Sequence, residues 1–132
     1  MNTNIGAQNE ALAKYQWKNR ILVIVDSKNT SELYKKQIEL LGELDESFDE
    51  RKLLVFYAYE DGYKILNGDR ANFVSDSSLY SELTSESSKF KVALFGLDGG
   101  IKLNKPVPIS KSDLFAIIDG MPMRKAEIRQ KN

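Results

Sequence analysis

The sequence contains no cysteine and no histidine. Without cysteine the protein can form no disulfide, no thiolate nucleophile and no Cys-ligated zinc site. Without histidine it lacks the commonest general base and the commonest metal ligand of proteins. Thiol redox chemistry is therefore excluded, and we expect no catalytic residues, no cofactor-binding residues and no metal site.

The sequence also lacks an excess of charge of either sign and a long apolar run. Its 132 residues include 19 Lys plus Arg and 19 Asp plus Glu, which gives a formal net charge of zero. Bulk electrostatic attraction to nucleic acid or to anionic lipid is therefore not expected. No apolar run approaches the roughly 18 residues of a membrane-spanning helix, so we expect no membrane insertion.

The N-terminal residues are polar, and we expect residues 1–9 to be disordered. MNTNIGAQNEALAKYQ has neither the basic region nor the apolar stretch of roughly 7–15 residues that a signal peptide needs. The protein is therefore either cytosolic or separated from a signal peptide that this chain does not contain. Hydrophobic residues make up 42% of the sequence, enough for a core, and we expect residues 10–132 to form one domain.

Two β-branched apolar segments predict buried strands. Residues 21–25 and residues 53–58 are apolar on both alternating faces, which is typical of strands covered on both sides in a parallel sheet. The segment between them predicts a helix over about residues 30–44. Asn29 is a suitable N-cap, and Glu32 follows three residues later as in a capping box. Together these elements predict a right-handed βαβ unit.

The middle of the chain is less informative. Residues 45–51 are interpreted as an acidic connector, and residues 62–88 as a long polar region. Within that region we expect a short helix capped by Asp76, because three apolar side chains follow helical spacing: Leu79, Tyr80 and Leu83.

The last third of the chain predicts two strands and a capped helix. Residues 92–95 form the third strand, and the sequence DGG at 98–100 is a strong hairpin signal. Residues 101–103 return as an edge strand. Ser110 is the N-cap of the final helix, and Pro122 can begin a second, basic helical turn.

Four short sequence motifs resemble the bacterial domain of unknown function 4174 family, over about residues 12–129. The motifs are YQWKNR at 15–20, ERKLLVF at 50–56, FGLDGGIKL at 95–103 and IDGMPMR at 118–124. The resemblance implies a thioredoxin-like α/β fold with three α/β/α layers and a mixed four-stranded sheet of order 4-3-1-2, whose third strand is antiparallel. It also implies kinship with peroxiredoxin-like domains of extracellular matrix proteins, and secretion or a periplasmic location. It supplies no known reaction.

The chain differs from active thioredoxin-like proteins at the positions of their redox centre and their cis-proline. Their redox centre follows the first strand, where this chain has DSKNT at 26–30 and no cysteine. Their cis-proline precedes the third strand, where this chain has KFK at 89–91. The resemblance therefore implies a scaffold without thiol redox activity.

We expect a non-catalytic module that binds an unknown protein or small ligand. Trp17 offers an aromatic plane beside cations, and Met123 is a flexible thioether beside basic residues. The candidate contact residues are Trp17, Lys18, Arg20, Arg51, Met123 and Arg124. In the simpler interpretation, Trp17 covers one end of the core, Arg20 pairs with a carboxylate, and the methionines close the edge of the core.

The competing hypothesis is a thiol-independent enzyme. It would use Asp, Lys or Arg side chains at the position of the thioredoxin active site, for example Asp26 with Lys28 or Arg20. The DGG turn could cradle an anion, but a strand follows it and not a helix N-terminus, so the turn interpretation is favoured. The oligomeric state is left open.

The absence of cysteine generates the first prediction. The metal-free protein is expected to reduce no insulin disulfides and to turn over no peroxide, because both reactions need a thiolate. Turbidity and peroxide-consumption assays, with a cysteine-containing thioredoxin as positive control, measure this. A rate above that of buffer would overturn the prediction.

Overall fold

The apolar segment RILVIV forms the central strand of the sheet, and all six of its residues are buried. The computed structural model describes residues 9–28, 30–67, 73–84 and 89–131. The strands among these residues are β1 Arg20–Val25, β2 Leu53–Tyr59, β3 Gly62–Ile65, β4 Phe73–Val74, β5 Lys91–Phe95 and β6 Ile101–Lys105. The helices are α1 Glu10–Ala13, α2 Glu32–Leu41, α3 Glu46–Glu50, α4 Ser78–Leu83, α5 Lys111–Asp119 and α6 Pro122–Lys131.

The described strands form one mixed sheet of order β4-β3-β2-β1-β5-β6. β1 and β2 are parallel, as expected for a βαβ unit, and the other neighbouring pairs are antiparallel. The four strands predicted from the sequence lie side by side in the predicted order, and the third of them, β5, is antiparallel to β1. The prediction of a four-stranded sheet is wrong, because β3 and β4 extend the sheet beyond β2.

The two additional strands lie in the region interpreted as polar. β3 has an alternating pattern in which Tyr63 and Ile65 are buried and Lys64 is exposed. Gly62 begins this strand with φ +157°, and a side chain there would meet the carbonyl oxygen of Val74 at 2.1 Å. Glycine therefore permits the close approach of β3 and β4.

A hydrophobic core covered by helices lies on each face of the sheet. On one face, α1 and α4 cover alternate residues of β1 such as Ile21 and Val23. On the other face, α2, α3 and α5 cover the intervening residues Leu22 and Ile24. This double coverage explains why residues 21–25 of β1 are all apolar and do not alternate with polar residues.

The boundaries of α2 differ from the expected ones. The N-cap is Ser31, whose hydroxyl accepts a hydrogen bond from the backbone N–H of Tyr34, while Asn29 lies outside the described residues. The helix ends at Leu41 because Gly42 has φ +65°, in the left-handed region that stops a helix. The predicted range of 30–44 was therefore too long at both ends.

The acidic segment 45–51 is not a plain connector. Asp45 caps the short helix α3 by accepting a hydrogen bond from the backbone N–H of Ser47 at 3.0 Å. Phe48 of this helix is fully buried and belongs to the core beneath α5. The expected helix is present as α4, but its N-cap is Ser77 and not Asp76, whose carboxylate accepts a hydrogen bond from the backbone N–H of Ser78 at 3.0 Å. Leu79 and Leu83 are buried and Tyr80 is half-buried.

The C-terminal third agrees closely with its sequence pattern. Gly99 supplies the positive φ of the β5–β6 turn, and Ser110 caps α5 by accepting from the N–H of Asp113. The expected basic turn after Pro122 is the longer helix α6.

Asn9 is buried and caps α1, whereas residues 1–8, expected to be disordered, lie outside the described residues. None of the described helices has the length and apolarity to cross a bilayer.

Two buried amides extend the backbone hydrogen-bonding of the fold. The Gln37 side chain on α2 donates to the carbonyl oxygen of Ile109 and accepts from the N–H of Ile109, each at 2.8 Å. The Asn67 side chain accepts from the N–H of Val55 at 2.8 Å and donates to the carbonyl oxygen of Leu53 at 2.9 Å. Each amide therefore forms hydrogen bonds with one N–H and one carbonyl group of the buried backbone.

Replacement of Gln37 by methionine, a side chain of similar volume, is expected to lower the free energy of unfolding by about 2–4 kcal/mol, because both backbone groups of Ile109 lose their partners in a buried environment. Urea denaturation measures this change. The matched control is Lys36→Met on the same helix, whose side chain is 58% exposed, and its expected effect is below about 0.5 kcal/mol. Equal losses in the two variants would contradict the proposed role of Gln37.

Candidate functional site

A cleft of about 250 Å³ opens near the amino end of β1. One wall is the turn between β5 and β6, and the other is the junction between α5 and α6. We name it the Leu97–Met123 cleft, and its lining residues are Arg20, Gly96, Leu97, Asp98, Lys102, Met121, Pro122 and Met123.

The turn that forms the first wall carries both signs of charge. The Asp98 carboxylate accepts a hydrogen bond from the Gly100 N–H at 2.9 Å and pairs with the Lys102 ammonium at 3.1 Å. The Gly100 N–H and, to a smaller extent, Lys102 hold the pKa of Asp98 below its ordinary value against the opposing effect of partial burial. At neutral pH this rim is therefore a fixed ion pair.

Trp17 lies on the segment that braces this turn. Its backbone N–H donates to the carbonyl oxygen of Leu97 at 2.6 Å, and the neighbouring Gln16 side chain donates to the carbonyl oxygen of Asp98 at 2.8 Å. Trp17 has φ 70°, a conformation that is strained for a bulky L-residue, and its side chain is 62% exposed. The fold therefore holds the indole in solvent at some energetic cost, and does not use it to cover the core.

The second wall separates the two methionines of the MPM sequence. Met121 is half-buried and packs against the core, as the simpler interpretation expected. Met123 lies two residues further on, in α6, and is 40% exposed at the rim of the cleft. Pro122 begins α6 between them and fixes the direction in which the chain leaves the core.

Two of the predicted contact residues, Arg20 and Arg124, are buried. The Arg20 guanidinium pairs with the Glu127 carboxylate at 3.2 Å and donates to the carbonyl oxygen of Arg51 at 2.8 Å. The Arg124 guanidinium pairs with Glu50 at 2.9 Å and with Asp119 at 3.0 Å. For Arg20, the structure therefore has the carboxylate pairing that the simpler interpretation described.

Arg51 belongs to the same network. It forms a bidentate pair with Asp119, through Nε at 3.1 Å and Nη2 at 2.9 Å, and its guanidinium lies 4.0 Å from the ring centroid of Phe115. Burial alone would raise the pKa of the Asp119 carboxyl, but the hydrogen bonds donated by Arg51 and Arg124 outweigh it and hold that pKa below its ordinary value. We name this set the arginine network: Arg20, Glu50, Arg51, Asp119, Arg124 and Glu127.

The six predicted contact residues thus fall into two groups. Arg20 and Met123 line the cleft, and Trp17 is bonded to its wall. Lys18 is exposed on the same segment as Trp17, whereas Arg51 and Arg124 lie in the network behind the cleft and do not line it. Sequence reasoning missed Leu97 and Lys102, although the hairpin signal of the DGG sequence identified the β5–β6 hairpin to which they belong.

A second cavity, of about 270 Å³, lies at the opposite, carboxyl end of β1. Three of its lining residues come from the loop at 26–30, the alternative catalytic position considered from the sequence, whereas Lys64 and the tyrosines of β2 were not predicted. We name it the Lys28–Lys64 cavity, and its lining residues are Ser27, Lys28, Thr30, Tyr57, Tyr59 and Lys64.

These features define a mixed α/β protein whose six-stranded sheet carries helices on both faces and whose central strand has an open cavity near each end. The chain belongs to the family described as domain of unknown function (DUF4174), whose model matches residues 11–127. The family membership predicted from the four sequence motifs is therefore confirmed. No curated protein matches the chain.

The pKa of Asp119 generates a prediction about stability and pH. Asp119→Asn is expected to lower the free energy of unfolding at pH 7 by about 1–2 kcal/mol, a value reduced for solvent screening because the Asp119 side chain is 35% exposed. A depressed folded-state pKa stabilises the protein above the unfolded pKa of about 3.9, and this contribution is lost as pH falls through the lower folded value. The difference between wild type and variant is therefore expected to be constant from about pH 7 to 5 and to shrink below about pH 4.

Denaturant unfolding at several pH values measures this difference. Glu43→Gln, at an exposed carboxylate, removes the same charge and serves as control. A difference for Asp119→Asn that persists unchanged at pH 3 would contradict the assignment, as would an equal effect in the control.

Proposed function

We propose that the protein is a non-catalytic binding module and that the Leu97–Met123 cleft, with Trp17 beside it, receives an apolar segment of a partner protein. The observation that carries this proposal is the exposure of two large apolar side chains: Met123, 40% exposed, lines the cleft, and Trp17, 62% exposed, is joined to the cleft wall by its backbone hydrogen bond to Leu97. Tryptophan and methionine are enriched at protein interfaces, where they provide apolar contact area.

The chemistry of the lining favours an apolar group with one hydrogen-bond acceptor. Leu97, Met121 and Met123 provide the apolar contacts, and the Asp98–Lys102 ion pair provides a polar rim of the kind that surrounds interface cores. The Nε–H of Arg20 is buried and has no acceptor among the described residues. A peptide carbonyl beside an apolar side chain would match this combination, because an unmet buried donor is costly.

The buried arginines have a supporting role in this proposal. Arg20, Arg51 and Arg124 use their guanidinium groups on protein carboxylates, so we infer that they position the walls of the cleft and do not pair with charges of a partner. Trp17, Lys18 and Met123 remain candidate contact residues.

We also infer that the fold is a thioredoxin-like one, extended by β3 and β4. The order of the four strands β6, β5, β1 and β2, with β5 antiparallel to β1, supports this relationship. On such a scaffold the loop after β1 would be the redox position, and the absence of cysteine there supports a binding role in place of a redox reaction.

The arrangement around Asp26 does not favour the competing hypothesis of a thiol-independent enzyme. Its carboxylate accepts hydrogen bonds from the Ser27 N–H at 2.7 Å and from the Ser31 hydroxyl, so it acts as a brace of the loop. Asp26 is buried, and it is not one of the described residues that line the Lys28–Lys64 cavity.

A selection of peptides from a random displayed library tests the binding role. Peptides enriched on the wild-type protein are expected to shift the amide resonances of Leu97 and Met123 in NMR titrations. Met123→Glu is expected to weaken their binding at least about tenfold, equivalent to about 1.4 kcal/mol, because a charge replaces an apolar contact.

Leu33→Glu is the matched control, because Leu33 is exposed to a similar extent, 42%, and lies on α2 away from the cleft. Its expected effect on peptide affinity is less than about twofold. Failure to enrich any peptide that binds at the cleft, or equal affinity of wild type and Met123→Glu, would refute the proposed contact surface.

A further inference from the structure

The Lys28–Lys64 cavity is formed where the helices stop covering one face of the sheet. Tyr57 and Lys64 are directly paired across β2 and β3, so their side chains lie on the same face. That face is the one covered by α2, where the ring of Tyr34 lies 4.5 Å from that of Tyr57. α2 begins only after Ser31, and the space in front of its N-terminus is the cavity.

Two lysines of this cavity have no counter-ion among the described residues. Lys28 and Lys64 are both exposed, and neither forms an ion pair in the part of the chain that the structure describes, unlike Lys36, Lys52 and Lys102. Two ammonium groups that line one small cavity give it a positive potential, which favours the binding of an anion.

The other lining groups add hydrogen-bond donors. Ser27 and Thr30 contribute hydroxyl groups, and the half-buried Tyr59 contributes a phenol. The Tyr57 phenol cannot donate to a ligand at the same time, because its hydroxyl donates to the carbonyl oxygen of Asp26 at 3.3 Å. Burial raises the pKa of Tyr57, and the neighbouring Tyr34 and Asp26 raise it further, so this phenol stays neutral.

The acidic side chains that the structure describes near the cavity do not line it. Both carboxylate oxygens of Asp26 are bonded within their own loop, to the Ser27 N–H and the Ser31 hydroxyl. Glu60 and Asp61 follow β2 in an exposed turn and are not among the lining residues. The described lining therefore consists of cations and neutral groups.

The rings of the lining restrict the kind of ligand. Tyr59 stacks on Tyr57 at 5.0 Å and contacts Phe73 at 5.8 Å, so other rings already pack against it. The volume of about 270 Å³ is below the common range of roughly 300–1,000 Å³ for ligand pockets. The ligand is therefore small and is held through charge and hydrogen bonds more than through stacking.

We propose that the Lys28–Lys64 cavity binds the oxyanion group, phosphate or carboxylate, of a small organic molecule. The two ammonium groups hold the charge, and the hydroxyls of Ser27 and Thr30 donate hydrogen bonds to its oxygens. This site lies roughly 16 Å from the Leu97–Met123 cleft, by the rise per residue along β1, and does not depend on the cleft being a partner surface.

NMR titration at constant ionic strength tests this proposal with three separate probes: inorganic phosphate, glycerol 3-phosphate and succinate. At least one probe is expected to give saturable shifts at the amides of Ser27, Tyr59 and Lys64, with a dissociation constant in the roughly millimolar range. Tighter binding of glycerol 3-phosphate than of phosphate identifies an organic phosphate, and a preference for succinate identifies a carboxylate.

Lys28→Met and Lys64→Met are each expected to weaken binding at least about fivefold, because each removes a charged donor. Lys125→Met makes the same change in net charge on α6 and is expected to leave the affinity within about twofold. The absence of saturation with all three probes would overturn the proposal. So would an equal loss of affinity in Lys125→Met, since that result indicates nonspecific charge attraction.

Discussion

The C-terminal helix α6 is attached to the rest of the protein by ionic contacts. None of its described residues belongs to either hydrophobic core, and Arg124 is the one residue on its described part that is buried. Arg124 pairs with Glu50 and Asp119, while Glu127 on the next turn pairs with Arg20 at the start of β1. Because removal of one partner from a buried pair leaves an uncompensated charge, each member of the arginine network depends on the others.

The shape of the Leu97–Met123 cleft follows from this attachment. Met123 is on α6, so the arginine network determines how far this wall lies from the turn that carries Leu97. The opposite wall is held by backbone hydrogen bonds from the segment of Trp17. Arg20 contributes to both the network and the cleft lining, which explains why a buried structural residue also stood out as a candidate for binding.

The two ends of β1 present different chemistry. Near its amino end, the cleft combines thioether and leucine side chains with one fixed ion pair. At its carboxyl end, hydroxyl groups and two lysines that have no ion pair among the described residues surround the second cavity. Both sites lie at the ends of a buried strand. The apolar side chains along the middle of the strand fill the space under the covering helices and leave no room for a ligand.

Local chemistry in the sequence determined a large part of the fold. The apolar runs of β1, β2 and β5, the Ser110 cap and the glycine turn all depend on residues close together in the chain, and the missing cysteine excludes thiol chemistry without any structure. Tertiary structure decided the rest. Arg20 and Glu127 are 107 residues apart and Arg51 and Asp119 are 68 apart, so no local pattern distinguishes these buried pairs from solvated charges. Strand β3 likewise depends on its pairing with β2, because its four residues are too few for a periodic signal.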